Sequence, residues 1–414
     1  MPAEKNKSKK SLFRKIVNFF IAAALFIVGL IVLFIGFSQT RTFRDYLKNS
    51  LIKIVSTNTD AKLSIENIEG TILTSVFINK PLLTVDRDTI LYADKLIIKT
   101  SPLQLLLKRI YIRELELNNA SVNLLQNENG DWNYSALFKP KEKEDTASSE
   151  FTFKIIAPKI SLVNVNFRMQ KYDRRDSNLD YKLFNADDIR ISNIYLNAEA
   201  FLSPSDKAYM LNLKSMSLKS NFNNFMINNL SGIFEVTSKY ASVTNLNLVT
   251  ERSDISISAR LDSLNIFSHF NLEDFESYPV ELKADIKAFD FDDLSSFIKS
   301  TEILKGKPSL ALDAKGKFGN IRIDNLSLNY SDTELNLSGY LRNLHRPSEL
   351  YIDANIKNSN VAYENVLKLL PSLNLPRFNK LKLSNLNIDY HGYPTNFEAK
   401  LAAETGKNQR LDLD

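Results

Sequence analysis

Period-two alternation of apolar and polar residues dominates the chain from about residue 61 onward. Val280, Leu282, Ala284 and Ile286 are spaced this way, as are Leu310, Leu312 and Ala314, Leu335 and Leu337, and Ile352, Ala354 and Ile356. Such spacing predicts β-strands with one apolar and one polar face. Five stretches depart from it in the same manner. IYIRELEL (110–117), IRISNIYL (189–196), LNLKSMSL (211–218), IRIDNLSL (321–328) and LKLSNLNI (381–388) are each apolar at positions one, three, six and eight. A flat strand would turn the second pair to the opposite face. One extra residue, as in a β-bulge or tight corner, returns it to the first face.

A longer repetition overlies these strands. ADIKAFDFDDLSSFIKS begins at Ala284 and leads to IRIDNLSLNY, ending at Tyr330. ANIKNSNVAYENVLKLLP begins at Ala354 and leads to LKLSNLNIDY, ending at Tyr390. Each unit reads as a strand, a short helix and further strands. In the second helix Tyr363, Val366, Leu367 and Leu370 share a face, and Pro371 stops it. Units that stack in one dimension bury a continuous core between neighbours.

The N-terminus follows a different pattern. No ionisable residue occurs from Ile16 to Thr40, and Phe19, Phe20, Leu25, Phe26, Ile27, Leu30, Ile31, Leu33 and Phe34 make the stretch apolar almost throughout. About twenty such residues cross a hydrocarbon core of roughly 30 Å. Lys9, Lys10, Arg14 and Lys15 precede the segment, which places the N-terminus in the cytoplasm and the body across the membrane. A cleaved signal peptide would have a shorter apolar core and a better site than Gly36-Phe37-Ser38. After the anchor, Phe43, Tyr46, Leu47, Leu51 and Ile54 recur at helical spacing and predict a short amphipathic helix. The expected organisation is a basic tail (1–15), a transmembrane helix (16–40), an N-terminal β segment (41–138), a flexible linker (139–150) and a repetitive β body (151–414). KPKEKEDTASSE in the linker has no large apolar residue. The ending LDLD, inside an alternating stretch, suggests a longer polypeptide.

Composition adds mainly exclusions. Six lysines and arginines in the first fifteen residues account for the net charge of +5, so the body is nearly neutral and gives no support for nucleic-acid binding. Without cysteine there are no disulfides, thiolate metal sites or cysteine nucleophiles. Eleven glycines are too few for a tight Gly-rich β-helix. His269, His345 and His391 are scattered and lack metal-ligand spacing, and no phosphate loop, nucleophile elbow or calcium loop occurs. Asp187-Asp188 and Asp290 with Asp292-Asp293 read as capping or solvated groups. Nothing calls for a metal or cofactor, and no catalytic constellation marks an enzyme. Trp132, the only tryptophan, sits at a hairpin end in NENGDWNY.

These features together resemble the AsmA-like superfamily, and most of all the N-terminal region of its TamB branch, the inner-membrane component of a translocation and assembly module. AKLSIENIEGTILTSVFINKPLLT (61–84) and ILYADKLIIKTSPLQLLLKRIYIRELELNNASVNLLQNENGDWNYSALF (90–138) carry the resemblance, with Gly130, Trp132 and Asn133 at the family's Gly-x-Trp-Asn turn. It is diffuse beyond 138, and the C-terminal module typical of TamB is missing, so AsmA or YhdP relatives remain open. The resemblance implies a mainly β fold, an elongated twisted sheet curled into an open hydrophobic groove (a β-taco of the bridge-like lipid-transfer type) with a few short helices. It implies an inner-membrane protein with a periplasmic body that moves phospholipid toward the outer membrane. The alternative is a scaffold that helps insert outer-membrane β-barrel proteins with a partner of the BamA/TamA type. The candidate groove residues are Ile189, Ile191, Ile255, Ile257, Leu310, Leu312, Ile321, Ile323, Leu335, Leu337, Ile352, Ile356, Leu381 and Leu383. Alternation alone favours a closed sandwich or solenoid in which these side chains meet one another, and it is the resemblance that favours the open groove. Roughly twenty strands about 4.8 Å apart would make a rod near 100 Å long.

Overall fold

The computed structural model of the chain describes residues 26, 33, 36–138, 151–175, 178–265, 267, 276–369, 380–405 and 409–414. Helix α1 (Arg41–Asn58) is followed by the strands β1 (Lys62–Ser64), β2 (Asn67–Thr71), β3 (Ser75–Asn79), β4 (Leu82–Val85), β5 (Asp88–Thr100) and β6 (Arg109–Leu125). The body continues with β7 (Lys154–Gln170), β8 (Asp188–Ser203), β9 (Ala208–Ser220), β10 (Met226–Val236), β11 (Tyr240–Thr250), β12 (Asp254–Asp262) and β13 (Pro279–Ala288). After helix α2 (Phe291–Ser295) come β14 (Ser309–Lys317), β15 (Asn320–Tyr330), β16 (Thr333–Arg342) and β17 (Tyr351–Ala362). Helix α3 (Tyr363–Leu369) precedes β18 (Lys382–Tyr393), β19 (Asn396–Thr405) and β20 (Arg410–Leu413).

All twenty strands belong to one sheet. β3 and β4, separated by Lys80-Pro81, lie along the same edge of β5, and β6 takes its other edge. From there each strand pairs with its successor through to β20. Every pairing is antiparallel except β6 with β7, which is parallel. A parallel pair needs a long crossover, which here runs through the Gln126–Phe138 turn and residues 139–150. The N-terminal β segment and the body are thus joined in a single sheet. The expected linker itself lies outside the described residues.

The five irregular stretches carry register shifts where the sequence pattern requires them. In β15, Asp313 of β14 faces Asn325 while Ala314 faces Ile323, which leaves Asp324 as the extra residue. Lys214 is skipped in the same way in β9, Arg113 in β6, and the ladders of β8 and β18 shift at Asn193 and Asn385. A second feature, not foreseen from the pattern, is the residue used. Asn119, Asn164, Asn193, Asn245, Asn358 and Asn385 all have φ between 46° and 55° inside strands. Asparagine is the non-glycine residue that best tolerates this left-handed conformation. Several of the freed amides are satisfied sideways: Asn193 N–H donates to Asn166 Oδ1 (3.3 Å), Asn245 N–H to Ser258 Oγ (2.9 Å) and Asn358 N–H to Asn387 Oδ1 (3.1 Å).

The repeat predicted from sequence recurs in three dimensions as a strand-end clamp. Asp293 of α2 accepts from Thr250 Oγ1 (2.6 Å), Ser253 Oγ (2.7 Å) and Arg252 Nε (2.7 Å), closing the β11–β12 hairpin. In the equivalent place on α3, Asn365 Nδ2 lies 3.1 Å from Tyr330 O, 2.9 Å from Asp332 Oδ1 and 3.1 Å from Thr333 Oγ1, closing β15–β16. Asp290 N–H donates to Ser253 Oγ as Ala362 N–H does to Thr333 Oγ1, both at 3.0 Å. Asp290 also caps α2 as expected, accepting from Asp292 N–H, whereas Asp293 and Asp188 are buried rather than capping or solvated, Asp188 accepting from Gln170 Nε2 and the Tyr181 hydroxyl (both 2.8 Å). In α3 the buried residue is the polar Asn365, and Tyr363, Val366 and Leu367 are half-buried; Leu370 and Pro371 lie outside the described residues.

Closed packing occurs at the start of the sheet and again beside α2, where Phe222 and Phe225 are buried against Phe184 and Phe297 with ring centroids 5.2–6.0 Å apart. Ile65, Ile68, Val76 and Ile78 form a core covered by Leu47 and Leu51 of α1, and Val55 covers Ala61, Val85 and Ile90. The stripe of α1 that covers these cores is therefore Leu47, Leu51 and Val55, four residues apart and half-buried. Tyr46 and Ile54, expected on that stripe, are exposed because each lies one residue, or about 100°, round the helix from it.

Candidate functional site on the apolar face

Directly opposed residues in a ladder present their side chains on the same face. Following those partners across the sheet gives one unbroken apolar row: Val76, Ile98, Leu115, Ile160, Ala198, Leu213, Gly232, then Leu246, Ile257, Ala284, Leu312, Leu326, Leu337, Ile356, Ile388, Leu401 and Leu413. Gly232 joins Leu246 by close approach, since a Cβ there would lie 3.0 Å from the Leu246 Cα. A second row runs Leu96, Leu117, Leu162, Leu196, Met216, Leu230, Leu248, Ile255, Ile286, Leu310, Leu328 and Leu335. Two further rows, through Leu282, Ala314, Ile323 and Ala354 and through Val280, Gly316, Ile321, Leu341 and Ile352, lie beyond the first. The first row crosses seventeen strands, or about 75 Å at 4.8 Å per strand. Four rows two residues apart make a strip about 20 Å wide.

From β11 onward no leucine or isoleucine of the first two rows is buried. Among the described residues, the backbone contacts of these strands are chiefly with their ladder neighbours and the short helices. All fourteen candidate groove residues are half-buried. Thirteen lie on the apolar face: Ile189 and Ile191 opposite Met169 and Phe167, Leu383 opposite Val361, and the others in the four rows. Leu381 is the exception. It precedes β18, and its carbonyl accepts from Tyr363 N–H (3.0 Å) at the start of α3.

The opposite face is charged and paired. Lys283 meets Asp313 (3.5 Å), Lys315 and Arg322 both meet Asp324 (2.8 Å), and Lys287 meets Asp254 (3.2 Å). Glu114 bonds Lys159 (2.7 Å) and Lys99, and these ammonium groups hold its carboxyl below the ordinary range. At the hairpin ends, hydrogen bonds from Lys382 and Asn365 pull the Asp332 carboxyl down to about 2. A hollow of about 730 Å³ opens on this polar side, lined by Ser121, Asn123, Asn166, Arg168, Arg190 and Lys219 among others. His345 bonds Glu276 (2.8 Å) and His391 bonds Asp353 (3.2 Å), far from one another along the chain; His269 lies outside the described residues. Among the described residues, no group of three or more His, Asp or Glu side chains is placed to hold a metal ion.

The Gly-x-Trp-Asn turn has a definite structural task. Gly130 has φ +88°, Trp132 bridges back to Gln126 and stacks on Tyr134 at 5.9 Å, and buried Asn133 accepts from Leu125 N–H (3.0 Å) and donates to Asn123 O (3.0 Å). It ties off β6 where the chain leaves for the parallel crossover. Of the expected anchor, Phe26 and Leu33 are described, both helical and exposed. Phe19, Phe20, Leu25, Ile27, Leu30, Ile31 and Phe34, with Lys9, Lys10, Arg14 and Lys15, lie outside the described residues. No helix among the described residues is long and apolar enough to cross a membrane. Comparison of the chain with protein families, with curated proteins and with solved structures finds no match.

Proposed function

We propose that the apolar face holds the acyl chains of phospholipids and conducts them along the sheet, with the sheet curled into an open groove around them. The observation that carries this reading is the continuity of apolar rows across seventeen strands, in which no leucine or isoleucine from β11 onward is buried. A folded chain does not leave so long an apolar strip to water without an occupant. A strip about 20 Å wide matches an acyl chain, which spans about 15 Å, half of a bilayer's hydrocarbon core. Each methylene laid on it contributes about 0.8 kcal/mol, and no row offers a polar group that would select one headgroup or stop a chain from sliding. In this proposal the N-terminal segment anchors the chain in a bacterial inner membrane, the body stands in the periplasm, and the cargo moves toward the outer membrane. No catalysis is required. Native mass spectrometry of the purified chain, with extraction and identification of bound lipid, tests the reading. Several phospholipids per chain, reduced in Leu312→Asp and Leu337→Asp, are expected. A folded, lipid-free chain would contradict it.

A further inference from the structure

A six-residue turn beside the start of the sheet carries more exposed hydrocarbon than its packing explains. Pro102–Leu107 is a 3₁₀ helix between β5 and β6. Leu103, Leu106 and Leu107 are 80%, 84% and 63% exposed. Three residues make one 3₁₀ turn, so Leu103 and Leu106 stand one above the other on the same side. Lys108 and Arg109 follow at once, and among the described residues neither has a carboxylate partner. A turn of leucines bordered by unpaired cations is matched by a surface that is apolar within and anionic at its boundary.

The position of this turn identifies the surface. Ser38, where the N-terminal segment gives way to α1, lies with its Oγ 2.9 Å from Thr71 Oγ1 in the β2–β3 turn. The next residue of that turn, Ile72, is itself exposed, and its carbonyl accepts from Thr100 Oγ1 (3.2 Å), two residues before the 3₁₀ helix begins. Arg113 locks the same corner, donating to Thr74 O (2.9 Å) and Thr100 O (3.1 Å). The leucines and the end of the N-terminal apolar segment are therefore fixed at one corner of the sheet. We infer that Leu103, Leu106 and Leu107 insert into the outer leaflet of the membrane that holds the N-terminal segment, with Lys108 and Arg109 on its anionic headgroups. This rests on the reading of that segment as a membrane anchor. The insertion would set the first strands of the sheet at a fixed depth, so that the apolar strip begins at the acyl-chain level.

The chain has no cysteine, so Leu106→Cys provides a unique labelling site in the otherwise intact protein. The full chain, labelled there with bimane, would be reconstituted in phosphatidylethanolamine vesicles with and without phosphatidylglycerol, some carrying brominated acyl chains. Asn129→Cys, in the turn at the other end of β6, serves as the reference. Loss of most bimane emission at Leu106 with brominated lipid, none at Asn129, and weaker quenching in Lys108→Glu/Arg109→Glu is the expected result. Three results overturn the inference: no quenching at either site, equal quenching at both, or a blue shift at Leu106 without quenching, which would indicate a protein occupant. Retention of the chain on vesicles through an alkaline wash is scored separately. A retained chain with an unquenched Leu106 defeats the insertion alone, whereas loss of the chain defeats the anchor.

Discussion

Replacing Leu337 by aspartate distinguishes an open apolar face from a closed core by its effect on stability. Leu337 sits at the middle of the longest row, opposite Leu326 on one side and Ile356 on the other, and is half-buried. Full burial of a leucine contributes about 1.5–3 kcal/mol, and this side chain, neither fully buried nor exposed, achieves about 1–2 kcal/mol of it. Aspartate's poorer fit to a strand adds at most about 1 kcal/mol. Its carboxylate, on a face open to water, carries no large desolvation cost. The predicted loss for Leu337→Asp is therefore about 1–3 kcal/mol, read as a modest fall in the urea midpoint of the delipidated chain by far-UV circular dichroism. Ile68→Asp is the internal comparison. Ile68 is only 6% exposed in the core beneath α1, and an unpaired carboxylate there is expected to cost about 3–5 kcal/mol. If Leu337→Asp destabilises the chain as much as Ile68→Asp, the face is packed against something and the open-strip reasoning fails.

Further tests address the scaffold. Asn365→Ala removes a buried amide that binds three acceptors of the β15–β16 hairpin and should cost about 2 kcal/mol, with faster hydrogen exchange at 330–333 while the β5–β6 ladder is unaffected. Asn193→Val forces a β-branched residue into φ +53° and should lose about 1–3 kcal/mol in chemical denaturation, whereas Asn193→Gly should lose much less. Asp332, held at about 2 by Lys382 and Asn365, binds a proton more readily unfolded than folded. Its contribution to stability should be complete above pH 4 and disappear as pH falls through 2, and Asp332→Asn should flatten that part of the acid-denaturation curve.

Much of this architecture is legible from side-chain spacing. Period two in β13, β14 and β17 identifies strands, and the one-three-six-eight spacing locates the register shifts, because in both cases the residue order itself determines the face. The equivalence of α2 and α3 is visible from the repeat, but its purpose is not. Asp293 and Asn365 are an acid and an amide in different local contexts, and only their contact with hairpins some 30–40 residues earlier shows that they perform one task. The asparagines of the bulges are similarly hidden, since Asn193 and Asn385 read as ordinary wet-face residues until their positive φ is known. The stripe on α1 is misread at Tyr46 and Ile54 because apolar residues also occur on its outer side, and helical spacing alone does not say which set the sheet covers. The unbroken rows were beyond sequence reasoning altogether. They depend on the register of each strand with the next, which no single strand encodes.

Site-specific photo-crosslinking measures the central claim most directly. A benzophenone amino acid would replace Leu312 or Leu337 on the apolar face, and Ala311 or Asn336 on the other, in the full chain in cells whose phospholipids carry radiolabelled phosphate. The account predicts crosslinked phospholipid at Leu312 and Leu337 and none at Ala311 or Asn336. Equal labelling of both faces, or none at Leu312 and Leu337 while the chain is folded, would contradict it.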